Sequence, residues 1–376
     1  MKRIIDITSL NYFVSGALSL LIPLLLLDRK VNIADIGIIL SILPLVFMTA
    51  RLAFAALADH VGWSVVFLIL NWPATLISIM IYFFANSITG FSLGKILEGI
   101  KESAYWAVNR TAIFALSPKQ EEKEATRINA VIWISTAAGT AAAGIGIAFL
   151  GFSSTLLMLI VASTILGIPS LLLWKPEKTI VKPRMPQTRT LSLFDPRGRT
   201  RQFWLVSIAL MFNSLATYPI ITLLLPVFMD QQLNYGYVTI GGAFMLYNVV
   251  AAIATLLALR APLNAKRAAI QSILGLVATF LLASAGFFFV ALLLILAVVR
   301  GLGIGFFESM IVKATKNRKT VSVDIGFLHV PMRLAEFASV LSAGFIAQLI
   351  GYAPVFIASG IFFAIFSIMS LHIVKN

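Results

Sequence analysis

The chain has 376 residues, of which 60% are hydrophobic and only 12% charged, with a mean hydropathy of +0.97. Soluble domains carry about a quarter charged residues, so this composition excludes an ordinary soluble protein and reads as an all-α membrane protein. The net charge of +14 leaves open a nucleic-acid-binding face or a one-sided membrane topology, and the lack of cysteine excludes disulfides and thiolate metal sites.

Apolar runs of about 20 residues, enough to cross a bilayer core of about 30 Å, recur twelve times. They fall at 8–27, 33–56, 63–84, 88–114, 127–150, 153–174, 202–228, 236–259, 267–285, 288–312, 323–349 and 352–373. The first follows Lys2 and Arg3. It is too long for a signal-peptide core and no small-x-small cleavage pattern follows, so it is expected to be retained as a spanning helix. Asn11, Ser15 and Ser19 give it a polar face. The second and third runs are joined by AALADHVGWS, from Ala55 to Ser64.

The fourth run contains KILEGIKESAYWAVNR, residues 95–110. At about 100° per residue, Lys95, Glu98, Glu102, Tyr105, Trp106 and Asn109 fall in one stripe about 100° wide. Lys95 with Glu98, and Glu98 with Lys101, are spaced to pair, whereas Glu98 and Glu102 repel when both are ionised, so one of them is able to hold a proton near neutral pH. An unpaired charge at mid-bilayer costs at least about 2.5 kcal/mol. The stripe therefore faces either a water-filled central path or a static salt-bridge cluster.

A glycine-rich stretch, Ala137 to Gly151, ends the fifth run, and a very short connection leads into the sixth. The stretch 175–201 has four prolines and eight Lys/Arg and reads as a linker. It divides the chain into six-helix units at 1–174 and 202–376. Beyond it, Asn213, Thr217 and Tyr218 form a polar face on the seventh run. Arg300 sits mid-span in the tenth, in VVRGLGIGFFES, where it is placed either to bind a substrate anion or to pair with an acid such as Glu336. Gly301 and Gly305 there form a small-residue face for a close helix neighbour, not a dinucleotide fingerprint. Glu308 is expected to pair with loop cations. The eleventh run aligns His329, Arg333 and Glu336 within about 60° of arc. These are candidates to exchange a coupling proton, the alternative being a static Arg–Glu pair. Pro331 is expected to bend this helix and free a carbonyl.

With the N-terminus cytoplasmic, the loops on that side, counted with Arg127 and Arg267 at the starts of the adjoining runs, hold 21 Lys/Arg, and the opposite side holds only Arg29 and Lys30. This asymmetry predicts a multi-pass protein of the plasma membrane with both termini cytoplasmic, and it accounts for the basic charge without nucleic acid. The two halves repeat: Ser19-x-x-x-Pro23 returns as Thr222-x-x-x-Pro226, AAAGIGIAFLGF as LSAGFIAQLIGY, and Glu102-Ser103 as Glu308-Ser309. Such internal repeats build many secondary transporters.

Twelve runs, a six-plus-six repeat and a basic central linker resemble the major facilitator superfamily over the whole chain. The family pattern Gly-x-x-x-Asp-Arg-x-Gly-Arg-Arg is matched in part by Ala55, Asp59 and Gly62, with His60, Trp63 and Ser64 where the family has cations. The resemblance implies a gating latch of Asp59 and Gly62 with Arg110. Lys95-x-x-Glu98-Gly99 resembles the family's Arg-x-x-Gln-Gly, and the glycine-rich fifth run resembles a mark of its exporters, without the proline. In the family, the first, fourth, seventh and tenth helices line the central path.

The expected function is secondary active transport of a small molecule by alternating access, coupled to protons, leaning to export of amphipathic, drug-like compounds. Proton-linked uptake of a small organic anion held by Arg300 and Lys95 is the alternative, and a non-transporting sensor or scaffold is the second. The expected pathway residues are Asn11, Lys95, Glu98, Glu102, Tyr105, Asn109, Asn213, Arg300, His329, Arg333 and Glu336. No nucleotide-binding signature is present, and the three histidines, His60, His329 and His372, are scattered. Neither cofactor, metal nor enzymatic activity is therefore expected. The expected partners are the substrate, protons and the lipid bilayer, with the chain acting as a monomer.

Overall fold

The computed structural model of the chain describes residues 2–61, 66–116, 121–173, 199–258, 260, 262–282, 284, 286–315 and 321–375. Among these there is no strand. A chain in hydrocarbon must satisfy each backbone N–H within its own segment, and helices do so. Helix α1 spans Lys2–Asp28, α2 Ile33–Val61 and α4 Ile88–Leu116. Between the last two, α3 opens as a π turn, Phe67–Asn71, and continues through Trp72–Phe84.

The run Glu121–Leu172 breaks at Gly151, whose φ of 79° suits glycine, and the break separates α5 (121–150) from α6 (152–172). Helix α7 covers Arg201–Gln231 with a π turn at Ile220–Leu224. There follow α8 (Tyr237–Ala258), α9 (Ala265–Leu282), α10 (Phe289–Thr315) and α12 (Ala353–Lys375). Helix α11 comes in two pieces, Val321–Leu328 and Val330–Leu349.

Side-chain caps start several helices: Asn32 Oδ1 accepts from Asp35 N at 2.8 Å, Thr200 Oγ1 from Phe203 N at 3.3 Å and Asn264 Oδ1 from Arg267 N at 3.0 Å. The two pieces of α11 meet at His329, and Pro331 lies at the start of the second. Lacking an N–H, Pro331 cannot donate to the Phe327 carbonyl four residues back. The Leu328 carbonyl there accepts from Ser207 Oγ of α7 at 2.7 Å.

Nine helical runs among the described residues are long and apolar enough to cross a membrane, with the α5–α6 run counted once. Helix α3 is shorter, and in α4 Lys95, Glu98, Lys101 and Glu102 interrupt the apolar sequence.

Apolar packing divides into three clusters. The largest draws on both halves of the chain, joining Leu20–Leu27 of α1 to Leu223–Met229 of α7, with Ile36 and Ile39 of α2 and Phe356 of α12. The second uses only residues before the linker, among them Ile4, Ala104 and Leu166. The third uses only residues beyond it, among them Phe203, Ile311 and Phe366. Arg3 donates to the Leu172 carbonyl, so the start of α1 lies where the linker begins. The halves are thus fused into one apolar mass at the end remote from the linker and keep separate cores at the linker end. Phe327 alone packs partly against both separate cores.

Glycines let the remote ends close. A Cβ on Gly144 of α5 would lie 2.6 Å from the Tyr237 carbonyl oxygen and 2.8 Å from the Gly241 Cα of α8. One on Gly37 of α2 would lie 3.1 Å from the Gly344 Cα of α11. The glycine-rich stretch of α5 is therefore a packing surface. Gly301 of α10 likewise faces the Ala251 carbonyl of α8, as its small-residue pattern predicts.

Candidate functional site: a central charged cavity

Between the halves lies a cavity of about 330 Å³, within the size range of small-molecule sites. Helices α1, α2, α4 and α5 line it from the first half, and α7, α8, α10 and α11 from the second. Lys95, Glu98, Glu102, Asn213, Arg300, His329, Arg333 and Glu336 all reach its wall. Tyr105, Asn109 and Asn11, expected on the same path, do not. Tyr105 is turned into the first-half core, 2.9 Å from Thr8 Oγ1 and edge-on to Tyr12. Asn109 is buried outside the cavity, and Asn11 accepts from Asn71 Nδ2 at 3.2 Å behind α1. The polar stripe of α4 is wide enough to face two neighbours, and only its Lys95–Glu98–Glu102–Trp106 edge looks inward.

The wall acids are each matched by a cation. Lys95 Nζ lies 2.7 Å from Glu98, which also accepts from the Tyr82 hydroxyl at 2.7 Å. Lys101, fully buried, pairs with Glu102 at 2.9 Å rather than with Glu98, because Ser15 donates to Glu102 at 2.9 Å and itself accepts from Lys101. Arg333 pairs with Glu336 at 2.5 Å, and Ser214 Oγ donates to the other Glu336 oxygen at 2.9 Å. The Arg333 guanidinium also stacks 3.6 Å from the Phe47 ring centroid across the cavity.

Arg300 is different. Among the described residues no carboxylate is within ion-pair reach of it. It rests 4.5 Å from the Trp133 ring centroid and 3.3 Å from the Tyr247 hydroxyl. The pairing with Glu336 that the sequence leaves open is not made.

At the linker end, polar contacts among the described residues bridge the halves. Arg51 of α2 lies 2.5 Å from His329 Nδ1 and donates to the Trp106 carbonyl at 3.2 Å. A guanidinium only donates, so His329 Nδ1 is the acceptor and carries no proton in this contact. Asn129 of α5 donates to Glu308 of α10 at 2.7 Å. Sequence reasoning missed Arg51 and Asn129. Arg51 interrupts the second apolar run, and an ionisable residue in such a run is itself a site signal. Asn129 carries no comparable local mark. Of the expected latch, Gly62 and the side chains of Asp59 and Arg110 fall outside what is described, as does most of the linker at 175–201.

Residues 7–319 match the sequence profile of the Major Facilitator Superfamily. The chain belongs to the major facilitator superfamily. It is therefore a multi-pass membrane protein of a transporter family, and its all-helical build is the superfamily's fold. The fold is similar to that in the crystal structure of the human organic anion transporter MFSD10 (TETRAN), with a TM-score of 0.72. That match covers 98% of this chain and 99% of the other at 14% identity, a likeness of fold alone. No curated protein sequence matches the chain. Superfamily membership supports a role in membrane transport.

Proposed function

We propose that this chain carries a small amphipathic organic anion together with a proton, by alternating access of the central cavity. Arg300 carries the reading. It is the one cation in the cavity wall with no carboxylate partner among the described residues, and it lies against aromatic surface. A cationic cargo would meet only acids already paired, so the drug-export reading is the less favoured of the two. Human MFSD10, an organic anion transporter of the same fold, agrees with this choice.

Proton coupling follows from charge. Protonating Glu336 neutralises it and leaves Arg333 uncompensated, which makes the cavity one unit more positive and favours an anion at Arg300. By linkage the anion then favours the proton equally. The two bind together and move in the same direction, as symport. On this reading the moving bodies are six-helix bundles at 1–174 and 202–376, with twelve crossings and cytoplasmic termini in the plasma membrane. Their shared core at the remote end and separate cores at the linker end support a cavity that faces the linker side.

The test is flux. Purified chain in proteoliposomes with an alkaline lumen is expected to accumulate organic carboxylates and to ignore organic cations at equal concentration. Accumulation of cations alone would overturn the anion reading, and ligand binding without flux of any compound would favour a sensor.

A second measurement addresses the alternation. Gly144→Val drives a side chain into the Tyr237 and Gly241 backbones. Overpacking of about 1–3 kcal/mol shifts the equilibrium roughly 5- to 150-fold toward the state open at the remote end. A single cysteine at Ser19, in a chain with none of its own, should then be labelled faster from that side by an impermeant maleimide. Unchanged labelling would detach the α5–α8 contact from gating.

A further inference from the structure

Behind Arg300 the second half holds another, smaller void of about 30 Å³, walled by α7, α8, α9, α10 and α12. It adjoins the central cavity, for Thr217, Ile221 and Arg300 line both. Its surface is apolar, with Ala216, Ile220, Val299 and Phe363 contributing side chains that are almost wholly buried. Three of its four hydroxyls are turned to backbone: Thr217 donates to Asn213 O at 2.9 Å, Thr279 to Gly275 O at 2.8 Å, and Ser359 to Ala216 O. The Tyr247 hydroxyl meets Arg300. The wall therefore offers methyl and ring surface with a single cation at its mouth.

We infer that this void is a branch subsite: it receives a methyl- or ethyl-sized apolar substituent next to the anionic group of a substrate held by Arg300. The inference rests on the anion reading of the cavity and adds the shape of the anion. A space of this size admits about one or two heavy atoms. An apolar void has no polar partners to hold a water firmly, so a carbon group enters without displacing a well-bound one. The void depends on glycine at 275, where a Cβ would lie 3.0 Å from Phe363 Cδ1 and 3.4 Å from Val299 Cγ1. Size discrimination in such a pocket is about tenfold or more per methylene.

Phenylacetate, 2-phenylpropionate and 2-phenylbutyrate share one ring and one carboxylate and differ only in the branch beside the carboxylate. Their binding to the purified full chain is read by quenching of tryptophan fluorescence, Trp133 lying against Arg300. The native chain is expected to bind 2-phenylpropionate about tenfold tighter than phenylacetate. Gly275→Ala, which fills the void, should bring that ratio near one while phenylacetate binding is kept. Val299→Ala, which enlarges it, should move the preference to 2-phenylbutyrate. Ratios unmoved by both variants, with all three acids still bound, would overturn the subsite and leave the anion reading standing. Binding of none of the acids to the native chain would overturn the anion reading, and the subsite with it.

Discussion

Arg300→Gln should reduce anion uptake at sub-saturating concentration by roughly 30- to 1000-fold, corresponding to about 2–4 kcal/mol for loss of one partner of a desolvated charge pair. Glutamine keeps polarity and much of the volume but cannot neutralise a carboxylate. The guanidinium rests on Trp133 of the first half, a contact of about 0.5–2 kcal/mol. A charge-assisted bond to an anion is stronger, so on the anion reading cargo would draw Arg300 off the ring and loosen a bridge between the halves. Arg300→Lys should fall between, since an ammonium keeps the charge but loses the forked donors and the flat stacking face. Thermal unfolding of the unloaded protein should change little, because no carboxylate is stranded among the described residues. The concentration dependence of initial uptake in proteoliposomes measures the effect. A rate within about threefold of native for Arg300→Gln would put the anion elsewhere.

The second large effect is on coupling. A proton and a monovalent anion moving together carry no net charge, so a gradient of one pH unit should accumulate the anion about tenfold, the equivalent of about 1.4 kcal/mol. Glu336→Gln should reduce that accumulation to about onefold, while exchange of labelled for unlabelled anion continues. The amide mimics the protonated acid in shape and charge, still accepts from Ser214, and leaves Arg333 on the Phe47 ring. Glu336→Ala is the harsher change, because removing one partner of a buried pair costs about 3–5 kcal/mol, and it should also lower the melting temperature. Full accumulation by the Gln variant would move the coupling to Glu98, Glu102 or His329.

Much of this arrangement is legible in the sequence, and the illegible part has a physical cause. Hydropathy locates the helical runs, even α4, whose charges interrupt its apolar stretch. Short-range pairs are legible because three residues along a helix bring side chains together, so Lys95–Glu98 and Arg333–Glu336 form as spaced. Partners drawn from distant helices are not. Ser15 on α1 takes Lys101 toward Glu102, Trp133 and Tyr247 take Arg300, and His329 finds Arg51 across the boundary between the halves. Periodicity assigns Tyr105 and Asn109 to a polar stripe. Which neighbour that stripe meets depends on how α4 is rotated, and the rotation is set by packing of the whole fold.

The remote end of the molecule is sealed by leucines, Leu20 to Leu27 against Leu223 to Met229, whereas the linker end is tied by a few polar contacts. Water is a poor solvent for the first kind of seal and a good one for the second. On the alternating-access reading proposed above, exchanging one seal for the other would be uphill for an unloaded carrier, which would rest with its mouth toward the linker. In each cycle the slow step would be the unladen turnaround, and whatever lowers the cost of wetting those leucines would set the pace of transport.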